Sequence, residues 1–190
     1  MSGDDGGVVV WFTGLPSSGK STLAQRVRAR LRDARCAAAV LDGDELRALV
    51  PSLLFDDESR ARFYEVVAQL AALLARQGLV VLVPATAHRR SLRGRARELA
   101  PRFVEVHVTT PLEVCERRDP KGLYAGARRG EVLHLPGVGE PYEAPDAPDV
   151  VATGGLDDAA LQAIVELVIT PSRAAAAPRG SDPPGPAGST

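Results

Sequence analysis

Lysine is almost absent from this chain of 190 residues, which contains 21 arginines but only two lysines, Lys20 and Lys121. A compact ammonium and a planar guanidinium replace each other freely only where a positive charge needs nothing but solvent around it. The two lysines therefore either mark positions that need a point charge or persist by chance in an arginine-rich composition. Both lie in stretches that are typical of phosphate binding, which favours the first interpretation.

Cysteine and histidine are too few and too scattered for a disulfide framework or a metal centre. Cys36 and Cys115 lack the spacing of metal ligands, so we expect both to be reduced and buried thiols. His88, His107 and His134 have no partners at ligand spacing in the sequence. We expect structural or surface roles for these histidines.

Long apolar runs and an excess of one charge are also missing. No apolar run approaches the length of a membrane span, and the N-terminal MSGDDGG is acidic where a secretory signal would be basic, which predicts a cytoplasmic protein without a membrane partner. The net charge is −1, with basic and acidic residues interleaved, so we expect no nucleic-acid partner. The arginine-rich run 88–97 is predicted to form a solvated helix face.

The length and the 45% content of hydrophobic residues predict a single domain, which we place at residues 8–169. Residues 1–7 are predicted to be flexible. Residues 170–190 are rich in Pro, Ala and Gly and offer little apolar surface to bury, so they are predicted to form a disordered tail.

Apolar runs of strand length alternate with segments of helical periodicity throughout this domain. The run VVVWFT at 8–13 is almost entirely apolar, as in a strand that is buried on both faces of a parallel sheet. The alternation predicts an α/β fold built on a doubly wound parallel sheet. Strands are predicted at 8–13, 37–41, 79–83, 103–108 and 149–152, and helices at 21–32, 56–76, 91–99, 111–117 and 157–169.

A glycine-rich loop connects the first predicted strand to the first predicted helix. Its sequence, GLPSSGKS at 14–21, satisfies the pattern GxxxxGK[ST] in the strand-to-helix context that this pattern requires. Backbone N–H groups of such a P-loop surround a phosphate. Lys20 is predicted to reach the β and γ phosphates of ATP, and the Ser21 hydroxyl to bind Mg²⁺.

Two carboxylates, Asp42 and Asp44, follow the second predicted strand at the sheet edge where open α/β folds bind ligands. Asp44 is a candidate for orienting or deprotonating an acceptor hydroxyl, and for capping a helix at the same time. Asp42 is a candidate for structuring the turn or contacting Mg²⁺ through water.

Residues 118–148 are long, irregular and rich in Gly, Pro and Arg, which predicts a functional lid. The stretch from 117 to 129 carries five cations, at 117, 118, 121, 128 and 129. Cations on a closing lid suit the negative charge that spreads over a transferring phosphate. We therefore predict a P-loop kinase with an arginine- and glycine-rich lid.

Four motifs resemble, in order and spacing, those of the adenylylsulfate (APS) kinases. They are GLPSSGKST, LDGDELR, TPLEVCERRDPKGLYAGARRGEV and GVGEPYEAP, within a similarity that spans about residues 8–168. The resemblance implies transfer of the γ-phosphate of ATP to the 3′-hydroxyl of adenosine 5′-phosphosulfate (APS), which gives PAPS in sulfate assimilation. It also implies a cytoplasmic enzyme that is usually a homodimer.

The resemblance further implies roles for individual residues. Arg118 would lie near the base of ATP and Lys121 near its phosphates. The catalytic residues would be Lys20, Asp44 and Lys121. ATP and Mg²⁺ would be bound by Gly14, Leu15, Pro16, Ser17, Ser18, Gly19, Lys20, Ser21, Thr22 and Arg118, and the acceptor by Asp42, Asp44, Arg47, Arg60 and Lys121.

The sequence departs from the family mainly on the acceptor side. Ala85 and Leu135 occupy the positions of two phenylalanines that would sandwich the adenine of APS, while Ala87 replaces a serine and Leu133 a lysine. Phe63 replaces an asparagine one helical turn beyond Arg60. Phe63 either offers a new stacking surface or packs into the core, and we include Phe63 and Leu135 among the candidate acceptor-binding residues.

Three functions are compatible with these observations. The leading one is an APS kinase. The altered acceptor side favours, as the second, a kinase of the same fold for a different small alcohol or nucleotide. The third is a nucleotide-binding regulatory partner without turnover. Six retained residues argue against it: Lys20, Ser21, Asp44, Arg47, Arg60 and Lys121.

Overall fold

A five-stranded parallel sheet forms the centre of the protein. The structure is a computed structural model that describes residues 7–49 and 57–170. The strands are β1 (Val8–Thr13), β2 (Ala38–Val40), β3 (Val80–Pro84), β4 (Phe103–Val108) and β5 (Val150–Ala152), and their order in the sheet is β2-β3-β1-β4-β5. The helices are α1 (Lys20–Asp33), α2 (Gly43–Leu49), α3 (Asp57–Ala75), α4 (Arg90–Leu99), α5 (Leu112–Arg118), α6 (Leu123–Arg128) and α7 (Asp158–Ile169).

The central strand β1 is buried along its whole length because helices cover both faces of the sheet. Alternate side chains of a strand point to opposite faces. Val10 and Phe12 pack in one core with α1 and α7, whereas Val9 and Trp11 pack in the other with α3 and α4. This arrangement confirms the predicted doubly wound parallel sheet.

Two short helices are absent from the predicted elements, although the capping role considered for Asp44 implies a helix near that residue. Helix α2 directly follows Asp42, and α6 lies inside the predicted lid. They span seven and six residues, too few for a periodic pattern to emerge. The other elements agree with the predicted ones to within one or two residues at either end, as is usual for helix and strand boundaries.

The predicted flexible N-terminus and disordered tail lie outside the described residues, except for Gly7 and Thr170. Gly7 is buried and donates its N–H to Ala75 O at 2.8 Å, and the flexibility of residues 1–7 stays a prediction. Within the part that the structure describes, no helix is long and apolar enough to cross a membrane.

Two expectations about single residues need correction. Cys115 is buried as expected, but Cys36 is half-buried because it follows the last turn of α1 at the sheet edge. Not every arginine of the arginine-rich helix α4 is exposed to solvent. Arg93 is 2% exposed and donates to Glu105 at 2.7 Å and to the backbone carbonyls of Ala87 and Glu143.

Candidate active site

The P-loop, residues 14–21, leaves the carboxyl end of β1 and enters α1. A tight curl is possible here because Gly14 has a φ of 148°, and a Cβ at this position would lie 2.4 Å from the carbonyl oxygen of Val108. Thr110, two residues after the end of β4, donates its hydroxyl to Ser18 O at 2.7 Å. The loop is therefore held in shape by the neighbouring strand.

The ammonium of Lys20 folds back over this loop. Its Nζ donates to the backbone carbonyls of Leu15 at 2.7 Å and Gly14 at 3.0 Å. Burial lowers the pKa of Lys20 to about 8, because desolvation disfavours the charged form. A phosphate that approached this nitrogen would restore the stability of the charged form.

The back of the P-loop packs against the turn before α7. A Cβ on Gly19 would lie 2.6 Å from the backbone nitrogen of Gly155, and a Cβ on Gly155 would lie 2.8 Å from the carbonyl oxygen of Gly19. Neither distance is compatible with a side chain. The two glycines thus fix the separation between the P-loop and the last crossover of the fold.

Asp42 connects the P-loop to the start of α2. One carboxylate oxygen accepts from the Ser21 hydroxyl at 2.8 Å, and the other accepts from the backbone N–H of Asp44 at 2.9 Å. The turn-structuring role considered for Asp42 is confirmed. Asp42, rather than Asp44, supplies the side chain at the start of this helix, which leaves the Asp44 carboxylate for another contact.

That contact is made by the lid. Lys121 Nζ forms an ion pair with the Asp44 carboxylate, and both side chains are more than half exposed. Tyr124, in α6, donates its hydroxyl to Pro16 O at 2.9 Å, so the lid also rests on the P-loop. The catalytic candidates Lys20, Asp44 and Lys121 all line one cavity.

This cavity has a volume of about 1250 Å³ and runs from the P-loop to the carboxyl end of β3. Its two ends differ in chemistry. The P-loop end carries the donor candidates Pro16, Ser17, Gly19, Lys20, Ser21, Thr22 and Arg118. The other end carries Asp42, Asp44, Arg47, Phe63, Tyr64, Pro84, Ala85 and Thr86, and we call it the acceptor end.

An aromatic surface closes the acceptor end. The Arg47 guanidinium lies over the Phe63 ring, with 3.9 Å from its central carbon to the ring centroid, and Phe63 meets Tyr64 edge to face at 5.6 Å. Phe63 is 3% exposed. The interpretation of Phe63 as a core residue is confirmed, and its ring also forms part of the cavity wall; a role as a stacking surface stays a prediction. The Tyr64 hydroxyl accepts from the backbone N–H of Ala87 at 3.1 Å.

Two acceptor candidates lie elsewhere. Leu135 is buried with Cys115 and Tyr124 under the lid instead of lining the cavity, because the backbone of this irregular segment turns its side chain inward. Arg60 donates to Glu140 Oε2 and to the carbonyl of His134, both at 2.8 Å. Its guanidinium is therefore held by the lid. Of the other substituted positions, Ala87 is buried and Leu133 is exposed.

Several residues that shape this site were not among the predicted site residues. Thr110 and Tyr124 lie in the quoted motif TPLEVCERRDPKGLYAGARRGEV but act through hydroxyl contacts, whereas Gly155 acts through a backbone contact that no local pattern marks. Glu140 and Tyr142 lie in the quoted motif GVGEPYEAP, and the motif was a usable signal. Tyr142 contacts Thr13 Oγ1 at 2.9 Å, and Thr13 in turn donates to Thr86 O at 2.6 Å.

No cluster of three or more His, Cys, Asp or Glu side chains within 7–49 and 57–170 is arranged to hold a metal ion. The Ser21 hydroxyl and the Asp42 carboxylate nevertheless place two oxygens side by side at the P-loop. Mg²⁺ in kinase sites takes one or two such oxygens and completes its shell with phosphates and water. The donor set therefore fits Mg²⁺ that arrives with a nucleotide.

Comparisons with known proteins agree with this geometry. A sequence model of the adenylylsulphate kinase family matches residues 6–153. The chain is 50% identical over 147 residues to an adenylyl-sulfate kinase of Paraburkholderia xenovorans strain LB400, which covers 76% of this chain and 82% of that relative. It is 41% identical over 164 residues to an adenylyl-sulfate kinase of Picosynechococcus sp. strain PCC 7002, which covers 86% of this chain and 92% of that relative.

A solved structure leads to the same family. The Mycobacterium tuberculosis APS kinase CysC, in complex with AMPPNP and APS, superimposes with a TM-score of 0.79 at 41% identity, over 86% of this chain and 98% of that one. Sequence, fold and site geometry thus agree, and the chain belongs to the adenylylsulfate kinase family.

Proposed function

We propose that this protein is an ATP-dependent kinase that phosphorylates the 3′-hydroxyl of APS to give PAPS. The observation that carries the proposal is the single cavity that joins the P-loop to the acceptor end, with Lys20, Asp44 and Lys121 along it. The M. tuberculosis relative, whose structure holds AMPPNP and APS, supports both substrates.

The P-loop end would bind ATP. The backbone N–H groups of residues 14–21 and the start of α1 would surround the β and γ phosphates, and Lys20 would exchange its carbonyl contacts for phosphate oxygens. Arg118, which lines the cavity, would contact the nucleotide on the side of the base. Ser21 would hold Mg²⁺, with Asp42 beside it; the bound ion supplies positive charge to the β and γ phosphates.

The acceptor end would place the 3′-hydroxyl next to Asp44. In the reaction, the acceptor oxygen forms a bond to the γ-phosphorus and the bond from that phosphorus to the β–γ bridging oxygen breaks. The hydroxyl proton passes to the Asp44 carboxylate, and ADP leaves with the bridging oxygen. Lys121 would leave Asp44 for the transferring phosphate, whose charge it stabilises.

Arg47 and Phe63 would form the binding surface for the rest of the acceptor. The guanidinium would attract the anionic phosphosulfate, and the Phe63–Tyr64 surface would contact the adenine in place of the phenylalanine that the family has at Ala85. Stacking on an aromatic ring is open to adenine as to any other base, because every base has a π-face.

A kinase for a different small alcohol or nucleotide is the second candidate. One observation favours it: neither of the two positions at which the family has phenylalanine presents a ring to the cavity. Ala85 lines the cavity without a ring, and Leu135 is buried with Cys115 and Tyr124. A nucleotide-binding partner without turnover, the third function considered, is disfavoured by the contact between Lys121 and Asp44.

The test is a coupled assay that follows ADP release with APS, other nucleotides and small alcohols as acceptors, each at saturating ATP. We expect APS to give the highest kcat/KM, with formation of PAPS confirmed by mass spectrometry. A higher kcat/KM for another acceptor would favour the second candidate. ATP binding without turnover of any acceptor would favour the third.

We also propose that the enzyme is a cytoplasmic homodimer, as the resemblance to the family implies. Sedimentation equilibrium of the purified chain tests the oligomeric state. A species of 20.0 kDa at micromolar concentration would contradict the dimer. Fractionation of the cells that express the protein tests its location.

A further inference from the structure

The second half of the lid is attached to the core by a segment that we call the strap, residues 140–144. The backbone of Glu143 donates to His88 O at 2.8 Å, and its carboxylate accepts from the backbone N–H of Arg90 at 2.7 Å, at the start of α4. The strap is therefore bonded to the connection between β3 and α4 through backbone groups.

Glu140 adds a contact of a different kind. Its Oε2 accepts from Arg60 Nη1 at 2.8 Å, while its Oε1 lies 2.6 Å from His88 Nε2 and 3.3 Å from Arg89 Nη2. One carboxylate thus joins three segments that are distant in sequence: helix α3, the β3–α4 connection and the lid. We call Glu140 together with Arg60 and His88 the joint. Arg60 extends the joint by donating to the carbonyl of His134.

The joint is shielded from water. The side chains of Glu140 and Arg60 are 10% and 13% exposed, and that of His88 is 3% exposed. Burial lowers the pKa of His88, which favours the neutral imidazole, and its Nε2 lies 2.6 Å from Glu140 Oε1. A carboxylate in such surroundings holds its partners more firmly than a surface ion pair does.

The position of Arg60 on α3 gives this joint a functional consequence. Phe63 and Tyr64 follow Arg60 by three and four residues, so all three share one side of the helix. Both aromatic rings line the acceptor end of the cavity. A shift of the first turn of α3 would move the wall that contacts the acceptor.

We propose that Glu140 is a positioning residue for the acceptor: it holds Arg60 and His88, and through α3 it sets the place of the Phe63–Tyr64 wall. The proposal rests on the proposed function, because the acceptor that this wall contacts is APS. Glu140 itself does not line the described cavity wall, and the ion pairs of its carboxylate are with Arg60, His88 and Arg89 rather than with the P-loop. The predicted effect is therefore on the acceptor and not on ATP.

The experiment compares Glu140→Gln with Glu131→Gln. Glu131 is a suitable control because it is also an ion-paired carboxylate of the lid, but its partner Arg129 lies two residues away and on the lid itself. We expect Glu140→Gln to raise the KM for APS roughly ten- to hundredfold, the scale on which small misplacements are felt, with the KM for ATP within about twofold of wild type. Glu131→Gln should leave both KM values unchanged.

Trp11 offers a readout that needs no acceptor. It is the only tryptophan of the chain, and its ring centroid lies 6.4 Å from that of Tyr64. We expect Glu140→Gln to shift the Trp11 emission and Glu131→Gln to leave it as in wild type. A purely structural role for Glu140 would lower the melting temperature without changing the emission or the KM for APS of the folded protein.

Equal KM values for APS and equal emission in the two variants would overturn the proposal. If Glu140→Gln does not fold, Glu140→Asp replaces it; its shorter side chain keeps the charge but cannot reach Arg60 and His88 together, and the same outcomes decide. A wild-type protein that does not phosphorylate APS would overturn the proposed function alone. The Trp11 comparison would then still decide whether Glu140 sets the wall.

Discussion

Lys121 of the lid is paired with Asp44 at the start of α2, although 77 residues separate them in sequence. The pair brings one of the two lysines of the chain to the carboxylate that we assign to the acceptor hydroxyl. The charge of Asp44 is thus satisfied in the absence of substrates, and it becomes available when Lys121 turns to a phosphate. This contact joins the lid to the acceptor end of the cavity.

Asp44→Asn should lower kcat strongly and leave ATP binding nearly intact. The amide keeps the size of the side chain but cannot accept the acceptor proton, and a loss of at least about a hundredfold is expected for a group of this kind. Stopped-flow turnover and calorimetric titration with ATP measure the two quantities separately. Parallel losses in affinity and turnover would instead assign Asp44 to the metal or to the fold.

ATP binding should take up a proton above pH 8. The pKa of Lys20 is lowered to about 8 by burial, so the free protein loses this charge at higher pH, whereas the complex needs the ammonium on the phosphates. The dissociation constant for ATP should then rise by about tenfold per pH unit well above the pKa. Calorimetry in two buffers of different ionisation enthalpy counts the proton. Lys20→Arg, which stays charged, should show no uptake; uptake in that variant would assign the proton to another group.

Phe63→Ala should raise the KM for APS. A stacked base contributes about 1–3 kcal/mol, which corresponds to roughly 5- to 150-fold in affinity. Val66→Ala is the matched control, since Val66 lies on the same helix but is more than half exposed to solvent. Acceptor titrations of both variants at saturating ATP make the comparison. An unchanged KM in a folded Phe63→Ala protein would leave Phe63 as a core residue only.

Gly155→Ala should lower ATP affinity and thermal stability together. The new Cβ would lie 2.8 Å from both the Gly19 carbonyl oxygen and Thr22 Cβ, so the P-loop has to shift. Overpacking of this kind costs about 1–3 kcal/mol. Gly94→Ala, where no atom lies within 4 Å of the new Cβ, is expected to be neutral or to stabilise α4 by about 0.5–1 kcal/mol. Melting curves with and without ATP test both; two equally stable variants would contradict the packing argument.

Stability should rise as the pH increases toward 6.5, the ordinary pKa of histidine. Burial lowers the pKa values of His88 and His107 below their ordinary value of 6.5, so in this window the unfolded chain binds more protons than the folded one. The stabilisation is complete above pH 6.5 and is lost as the pH falls toward the folded-state values. Urea midpoints across this range should depend less on pH in His88→Gln and His107→Gln. A flat profile in the wild type would contradict the assignment.

Acidic groups should act in a separate window. Hydrogen bonds from the backbone N–H groups of Ala160 and Thr153 lower the pKa of Asp157 to about 2. The stability that Asp157 contributes is lost only as the pH falls from 3.8, its ordinary pKa, to about 2, so it does not obscure the effect of the histidines.

The sequence predicts best what is local. The P-loop pattern places Lys20 and Ser21 correctly because eight consecutive residues determine the curl. The orientation of Leu135 is not predictable in this way, since an irregular segment has no period from which to infer which side faces the core. The cluster of Arg60, His88 and Glu140 depends on three distant segments meeting, and the burial of Arg93 depends on Glu105 of a neighbouring strand. Such contacts follow from tertiary packing and not from any window of sequence.

The contact between Gly19 and Gly155 also bears on when the nucleotide site can form during synthesis. The residues that bind phosphate are translated early, yet the backbone that supports them from behind belongs to the turn before α7. A chain still on the ribosome would expose the P-loop without that support until the turn and α7 had emerged. The support of the P-loop would therefore be completed late in synthesis, although the P-loop motif is translated long before.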